Sequence, residues 1–140
     1  MSPITHPQLA ATVLDTEDVA GLAEFYRGLL GWEYAAQSGP AAEDGDEWRT
    51  LVAPSGTRLS FQRVDALPRS TWPGVERPQQ VHLDLTVPDA AALRGLHPHV
   101  VELGATLLHD ASDDPDELVC IYADPAGHPF CVFVPLPAGG

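Results

Sequence analysis

The feature that most constrains the fold of this chain is an internal repeat, in which one pattern occurs twice along 140 residues. The segment APSGTRLSF (53–61) aligns with ADPAGHPFCV (123–132) at an offset of 71 residues. Upstream, LLGW (29–32) aligns with ELGA (102–105) at an offset of 73, which places a two-residue insertion near HPH (97–99) in the second copy. A repeat of this length predicts two copies of one supersecondary module packed together.

The first copy, module one (about residues 8–64), predicts a strand, a helix and three further strands. Asp18 is suited to cap a helix over 19–30, where apolar residues recur at helical spacing, and Gly31 is suited to end it. Apolar runs bounded by turn residues predict the strands. They cover 10–14, 32–37, 48–53 and 58–64.

The second copy, module two (about 81–136), predicts the same order of elements. Its helix runs from Asp89 to about Leu103, with a break or kink expected at Pro98, which lacks a backbone N–H. Its predicted strands cover 81–87, 105–109, 118–123 and 130–134. Three prolines make 65–80 an extended connector between the modules, so that 1–140 is expected to form one domain.

The charge of the chain excludes several classes of function. The net charge is −13 with 7 basic residues, so neither nucleic acid nor an anionic membrane surface is an expected partner. The sequence contains no lysine, which excludes Schiff-base lysine chemistry and the phosphate-loop lysine. The absence of both lysine and asparagine, which have AT-rich codons, indicates a bacterial genome of high GC content.

The cellular location is expected to be cytoplasmic. No apolar run approaches the roughly 20 residues of a membrane span, and the N-terminus lacks the pattern of a signal peptide. The chain has 2 cysteines, Cys120 and Cys131, each inside an apolar run. In a cytoplasmic protein such residues are more often buried thiols than a disulfide.

Two βαβββ modules in tandem resemble the vicinal oxygen chelate superfamily, which includes glyoxalase I, extradiol dioxygenases and the bleomycin- and fosfomycin-resistance proteins. The residues that carry the resemblance are DVAGLAEFYRGLLGWE (18–33) and ADPAGHPFCVF (123–133). WP…RPQQVHLDL (72–85) further resembles a glyoxalase-like subgroup whose members are largely uncharacterised. The resemblance implies an α+β fold, with U-shaped mixed sheets around a shared cavity, the helices outside, and a homodimer.

The resemblance also implies where a metal would bind. In metal-bearing members the ligands lie seven residues before the helix cap and four residues after the turn glycine of each module. Here those positions hold Ala11, Ser60, His82 and Cys131, where the family pattern has His or Gln and then Glu. Alanine cannot bind a metal and serine is a poor ligand, so no metal cofactor is expected. A divalent metal held by His82, Cys131 and Asp84 remains the lesser alternative.

Alternation along the strands predicts which side chains face the cavity. In VHLDLTV (81–87), His82, Asp84 and Thr86 share one face, while the valines and leucines, including Val81, pack against helices. The predicted ligand-binding residues are His82, Asp84, Gln62, Ser60, Cys131 and Phe133, with Trp32, Trp48 and Trp72 as an aromatic wall. Ala11 and Val13 complete the inner face of module one.

Several functions fit these residues. The first is a metal-independent protein that holds an amphipathic or aromatic metabolite or drug between the modules. The second is an isomerase or lyase in which His82, oriented by Asp84, acts as general acid and base, with a metal-dependent lyase or dioxygenase as its weaker form. A structural or regulatory module is the third. A simpler interpretation is that His82 and Asp84 hydrogen-bond each other inside a filled core.

Overall fold

A computed structural model describes residues 4–135, and within them the repeat becomes two four-stranded sheets and two helices. Module one contains β1 (Thr12–Thr16), α1 (Val19–Leu30), β2 (Glu33–Tyr34), β3 (Trp48–Val52) and β4 (Arg58–Arg63). Module two contains β5 (Leu83–Thr86), α2 (Ala90–Leu103), β6 (Thr106–Ala111), β7 (Val119–Ala123) and β8 (Pro129–Phe133). The predicted α+β fold of two βαβββ modules is confirmed.

The two modules share one topology down to the conformation of single residues. Sheet one has the order β1-β4-β3-β2 and sheet two the matching order β5-β8-β7-β6, and in each the first and last strands of the module are parallel. Gly56 and Gly127 occupy equivalent turns and have the same φ of +95°, a conformation that glycine adopts without strain. The sequence repeat therefore reports a true structural duplication.

Both helices begin and end where their capping residues predict. The Asp18 side chain accepts a hydrogen bond from the Gly21 N–H, and Asp89 accepts one from Ala92. The break expected at Pro98 is not present, because α2 continues through it. Pro98 lies on the exposed side of the helix, where water can bond the carbonyl freed by the missing N–H. No helix in residues 4–135 is long and apolar enough to cross a membrane.

Some strand boundaries differ from the prediction. β2 is limited to Glu33–Tyr34 because Gln37 has a φ of 62°, which ends the extended run. Val81 was expected to pack against a helix but is 62% exposed, since β5 begins only at Leu83. The predicted end of module two, residue 136, lies outside the described residues.

The core contains residues of both helices and both sheets, and Tyr26 of α1 contacts both sheets. The Tyr26 ring stacks on Phe61 of sheet one at 5.8 Å and meets Phe130 of sheet two at 6.1 Å. Its hydroxyl donates a 2.7 Å hydrogen bond to Asp124, which is only 1% exposed. The side of each sheet that carries these aromatic residues therefore faces α1, and the other side of each sheet faces away from it.

The connector between the modules contains neither helix nor strand, as predicted. It is held against the turn between β7 and β8 by Arg69, whose guanidinium donates to the carbonyl oxygens of Pro125 at 2.8 Å and Asp124 at 3.4 Å. This turn of module two thus receives contacts from both α1 and the connector, which fixes the two modules relative to each other.

Candidate functional site

The candidate site lies on the side of sheet two that faces away from α1, which we call the open face of module two. The strand register places Asp84 of β5 beside Cys131 of β8, and Cys131 in turn beside Ile121 of β7. Two residues further along β8, Phe133 lies between Thr86 of β5 and Val119 of β7. Because neighbours in register project on the same side of a sheet, these side chains form one surface.

A cavity of about 850 Å³ lies over this surface. Its floor is largely apolar. Phe133 of β8, Ile121 of β7 and Leu118, which immediately precedes β7, contribute to it. Asp84 and Cys131 also line the cavity. The acidic loop 115–117 contributes Asp116 and Glu117. An apolar floor with a few convergent polar groups is the usual composition of a small-molecule site.

Three side chains come together on the open face. His82 Nε2 lies 3.2 Å from Asp84 Oδ1, and one donor atom each from His82, Asp84 and the Cys131 thiol lie within 4.8 Å of one another. His82 is 42% exposed and Asp84 57%, so the pair does not fill a closed core. Burial raises the pKa of the Cys131 thiol to about 11, and the adjacent Asp84 carboxylate adds to the rise.

The two cysteines are free, and they lie on opposite sides of sheet two. Cys120 is 3% exposed and belongs to the core, as expected from its apolar surroundings. Cys131 is only partly buried and belongs to the open face. Their placement separates an inert buried thiol from one that a ligand or an ion could reach.

The corresponding side of sheet one is closed by its own side chains. The hydroxyls of Ser60 and Thr50 hydrogen-bond each other at 2.8 Å, and the Trp48 indole N–H donates to Thr50 at 3.1 Å. Ser60 is 2% exposed, whereas Gln62, two residues further along β4, is exposed. Ala11, at the remaining position where the family places a ligand, offers no donor atom. Module one therefore has no free polar group where the resemblance implied ligands.

The three tryptophans have separate environments. Trp32 packs against the hydrophobic core, and Trp48 bonds Thr50 on sheet one. Trp72 is half-buried in the connector. None of the three is among the residues that line the cavity of module two, where Phe133 supplies the aromatic surface.

Sequence reasoning missed part of the cavity wall. Val119 and Ile121 line it, but VCIYA (119–123) is apolar on both faces, so alternation could not show which face is open. The loop residues Pro115 to Glu117 also line the cavity, and no local sequence pattern indicates this, because only the tertiary structure brings the loop to the open face.

Three of the other histidines in the described residues have structural partners. His97 Nδ1 lies 2.8 Å from the Tyr122 hydroxyl, and His99 Nε2 lies 3.2 Å from the Gly28 carbonyl oxygen. His128 Nε2 lies 2.6 Å from the carbonyl oxygen of Asp15, which links the modules. His97 and His99 thus contact different elements, β7 and the end of α1.

Comparison with known proteins gives a consistent result. A family model described as a glyoxalase-like domain matches residues 11–133. No curated protein matches the chain. Similar solved structures include a glyoxalase-related enzyme from Fulvimarina pelagi, which is 23% identical, covers 95% of this chain and 94% of that chain, and has a TM-score of 0.66.

Two further structures are similar in fold. A glyoxalase/bleomycin resistance protein/dioxygenase family enzyme from Burkholderia phytofirmans PsJN is 16% identical, covers 91% of this chain and 98% of that chain, and has a TM-score of 0.67. A mutant fosfomycin resistance protein, FosX, from Listeria monocytogenes, complexed with Mn(II) and 1S,2S-dihydroxypropylphosphonic acid, is 13% identical, covers 95% and 94%, and has a TM-score of 0.69. At these identities the likeness concerns the fold alone.

Proposed function

Since the chain belongs to the glyoxalase-like domain family, within the vicinal oxygen chelate superfamily, we propose that it binds a small amphipathic or aromatic molecule on the open face of module two. The observation that carries the proposal is the cavity of about 850 Å³ above Phe133 and Ile121, with Asp84 and Cys131 in its wall. Phe133 offers an apolar aromatic surface, and Asp84 offers a polar anchor at its edge. A cytoplasmic location, as the sequence predicts, belongs to the same proposal.

The charge around the cavity limits the charge of the ligand that it can bind. Asp84, Asp116 and Glu117 line it, and none of its lining residues is lysine or arginine. An anionic ligand would meet carboxylates with no compensating positive group, in a chain whose net charge is −13. We therefore propose that the ligand is neutral or cationic. This differs from the phosphonic acid in the Listeria FosX structure, which would need positive charge around it.

The family's divalent-metal set does not fit this chain. Of its four positions, Ala11 has no donor atom and the Ser60 hydroxyl is buried and bonded to Thr50. The two positions in module one therefore cannot hold an ion together with His82 and Cys131 of module two. The proposed binding function does not depend on that four-ligand set.

We extend the proposal to a homodimer, which supplies the missing wall of the cavity. Tyr26 of α1 contacts Phe61 of sheet one and Phe130 of sheet two, so the ligand side of each sheet is the side turned away from α1. No residue of module one is among those that line the cavity of module two, so module one of the same chain does not supply the missing wall. A second copy that places its own module one over the open face would hold the ligand between modules of different chains.

Sedimentation velocity tests the dimer, with Phe133→Asp as a variant that places a charge on the open face. A dimer that dissociates in this variant supports the second copy as the missing wall. A wild-type protein that is monomeric at all concentrations contradicts it, and leaves ligand binding by the open face to be judged by the binding experiment alone.

A second function, acid–base catalysis, is favoured by one observation. The 3.2 Å contact between His82 Nε2 and Asp84 Oδ1 can orient the imidazole beside a cavity that would hold a substrate. His82→Ala separates the two functions. An enzyme should lose nearly all turnover of its substrate, whereas a binder should lose only part of its affinity.

The binding proposal is tested with one aromatic scaffold in three charge states: a primary amine, a neutral amide and a carboxylate. Thermal shift and calorimetry should give the order amine, amide, carboxylate from tightest to weakest, with the amine weakened by salt. The carboxylate binding most tightly would contradict the proposed ligand class. No stabilisation by any of the three, with no calorimetric heat, would contradict a binding site on the open face.

A further inference from the structure

The open face of module two carries a cluster of three side chains that have different donor atoms. His82 supplies an imidazole nitrogen, Asp84 a carboxylate oxygen and Cys131 a sulfur, all within 4.8 Å of one another. Within residues 4–135 no other group of three histidine, cysteine or acidic residues comes this close. A nitrogen, an oxygen and a sulfur that converge at this spacing can act as ligands of one metal ion.

The positions of the three residues are set by the sheet and not by a mobile loop. Asp84 and Cys131 are direct partners in the parallel pairing of β5 with β8, so the ladder fixes the distance between their backbones. His82 immediately precedes β5 and projects to the same side as Asp84, as their 3.2 Å contact shows. Ligands placed on strands need little reorganisation when an ion binds.

The cluster shares His82 and Cys131 with the metal positions of the family, but it differs from that set in its third ligand and in its chemistry. The family positions are distributed over both modules, and Ala11 and Ser60 remove the half that belongs to module one. The cluster lies wholly in module two and includes Asp84, which occupies none of those positions. It also includes a sulfur, and thiolate ligands favour zinc over manganese, which prefers oxygen.

We propose that His82, Asp84 and Cys131 form a zinc site, with the fourth position of a tetrahedral ion open to water or to a ligand in the cavity. Three protein ligands and one exchangeable position are the usual arrangement of accessible zinc sites. The Cys131 thiol becomes a thiolate when it binds, and its proton is released to solvent. The site is open on one side, since His82 and Asp84 are 42% and 57% exposed.

This inference goes beyond the proposed binding of an organic molecule, because the ion is bound by the protein alone. The two can fail separately. A chain that binds zinc but none of the aromatic probes would retain the metal site and lose the proposed function, and a chain that binds an aromatic amine but no zinc would show the reverse.

The first experiment uses cobalt as a spectroscopic probe on the full-length protein, purified without a tag and stripped with a chelator. Cobalt(II) should bind once per chain and produce a thiolate-to-cobalt charge-transfer band in the near ultraviolet, with visible bands of a tetrahedral ion. Zinc should displace it and abolish the spectrum. In calorimetry, zinc should bind at least about 100-fold more tightly than manganese.

Matched variants assign the ligands. Cys131→Ser should abolish the charge-transfer band and weaken zinc binding at least about tenfold, whereas Cys120→Ser should change neither, because Cys120 lies in the core on the other side of the sheet. His82→Ala should weaken zinc binding, and His99→Ala, whose histidine contacts Gly28 on another surface, should not. Asp84→Asn should weaken zinc binding while keeping the charge-transfer band.

Three results would overturn the zinc site. They are no binding of zinc to the stripped wild type, a cobalt spectrum without the charge-transfer band, and manganese binding as tightly as zinc. If Cys131→Ser does not fold, the wild-type spectrum still decides the presence of the thiolate. In a Cys120→Ser background, zinc should also protect Cys131 from alkylation, and failure to protect it counts against Cys131 as a ligand.

Discussion

The ligand sides of the two sheets have the same backbone and opposite properties. On sheet one, Ser60 is buried and its hydroxyl bonds Thr50, which also accepts the Trp48 indole N–H. On sheet two, the equivalent of Ser60 is Cys131, which lies beside Asp84 in the wall of a cavity. One copy of a duplicated module has thus satisfied its polar groups internally, and the other has left them available.

The difference depends on a few aligned positions, at the offset of 71 that relates the modules. Where module one has Gln62, module two has Phe133, and this exchange makes the floor of the cavity apolar. Replacing a residue of module two by its counterpart from module one should therefore remove one property of module two at a time.

The largest effect is expected at the turn before the last strand, where Asp124 of module two corresponds to Ala53 of module one. Asp124 accepts hydrogen bonds from the Tyr26 hydroxyl at 2.7 Å and from the backbone N–H groups of Ala126 and His128 at 2.9 and 3.0 Å. Asp124→Ala leaves three donors without their partner and should lower the free energy of unfolding by about 3 kcal/mol. Urea denaturation measures the loss.

Asp124→Asn is the control for shape, because an amide oxygen can still accept the two backbone hydrogen bonds. It also tests a pH effect: burial raises the pKa of the Asp124 carboxyl, although its hydrogen bonds partly oppose the rise. A raised pKa means that the folded state holds the proton more strongly than the unfolded state. The contribution of this group to stability should therefore fall as pH rises from its unfolded pKa to its folded pKa.

Comparing wild type with Asp124→Asn across that pH range isolates the contribution of the carboxyl. The stability of the wild type relative to the variant should decrease as the pH increases. A difference that is constant with pH would contradict the raised pKa, and an Asp124→Ala variant as stable as the wild type would show that the contact with Tyr26 contributes little to the packing of the two modules.

The second effect concerns the reactivity of Cys131 in protein freed of metal by a chelator. Burial and the neighbouring Asp84 raise the pKa of Cys131 to about 11, so the thiolate fraction at pH 8 should be on the order of 0.001. In a Cys120→Ala background, the rate of alkylation by iodoacetamide should keep rising up to about pH 11. Asp84→Asn should lower the pH of half-maximal rate, because the repulsion between carboxylate and thiolate is removed.

A half-maximal rate near pH 8.5 in the Cys120→Ala background would show that Cys131 is an ordinary exposed thiol. No effect of Asp84→Asn would show that the carboxylate does not act on the sulfur. Either result would remove the electrostatic contrast between the open face and the closed face of sheet one.

The duplication and the helices could be predicted from sequence because they depend on local chemistry. Asp18 and Asp89 cap helices through their own side chains, and the turn glycines adopt a conformation that other residues avoid. Alternation likewise placed Asp84, Cys131 and Phe133 on one surface, since it depends only on strand geometry. Each of these features is determined within a few residues of the chain.

The remaining features depend on tertiary contacts. Helix α1 contacts both sheets through Tyr26, which meets Phe61 and Phe130. The periodic pattern of a helix predicts its apolar face but not which sheets that face contacts. The open face of β7 could not be found because Ile121 and its neighbours are apolar on both sides. Helix α2 continues through Pro98 because this residue lies on the exposed side of the helix, and that exposure is also set by the tertiary structure.

The third effect is expected at the floor of the cavity. Phe133→Gln replaces Phe133 by glutamine, the residue at the equivalent position 62 of module one. Loss of the aromatic surface should weaken binding of the aromatic amine about tenfold, since burial of a phenyl group contributes roughly 1.5–3 kcal/mol and part of that surface is retained by its neighbours. Calorimetry measures the affinity. The matched control is Ser55→Ala, in an exposed turn of module one, which should leave the affinity unchanged.

An unchanged affinity in Phe133→Gln would place the ligand elsewhere than the open face. Gln62→Ala tests the proposed dimer in the same assay. Weaker binding in this variant would indicate that module one of a second copy contacts the ligand. That result would be consistent with the proposed dimer and would not affect the role of Phe133.

The smallest effect is expected on the closed face, where Ser60→Ala removes one partner of a buried hydrogen bond. The Ser60 and Thr50 hydroxyls are 2.8 Å apart, but Thr50 keeps the bond from the Trp48 indole, so the loss of stability should be about 1 kcal/mol. Ser55→Ala, in an exposed turn of the same module, is the control and should change stability by less than about 0.5 kcal/mol. Binding of zinc and of the aromatic amine should be unaffected by Ser60→Ala, because the hydroxyl has a structural role and lies on the other sheet. A Ser60→Ala variant of normal stability that binds either one more weakly would show that the Ser60 hydroxyl acts on the ligand, and the contrast between a closed and an open module would then no longer hold.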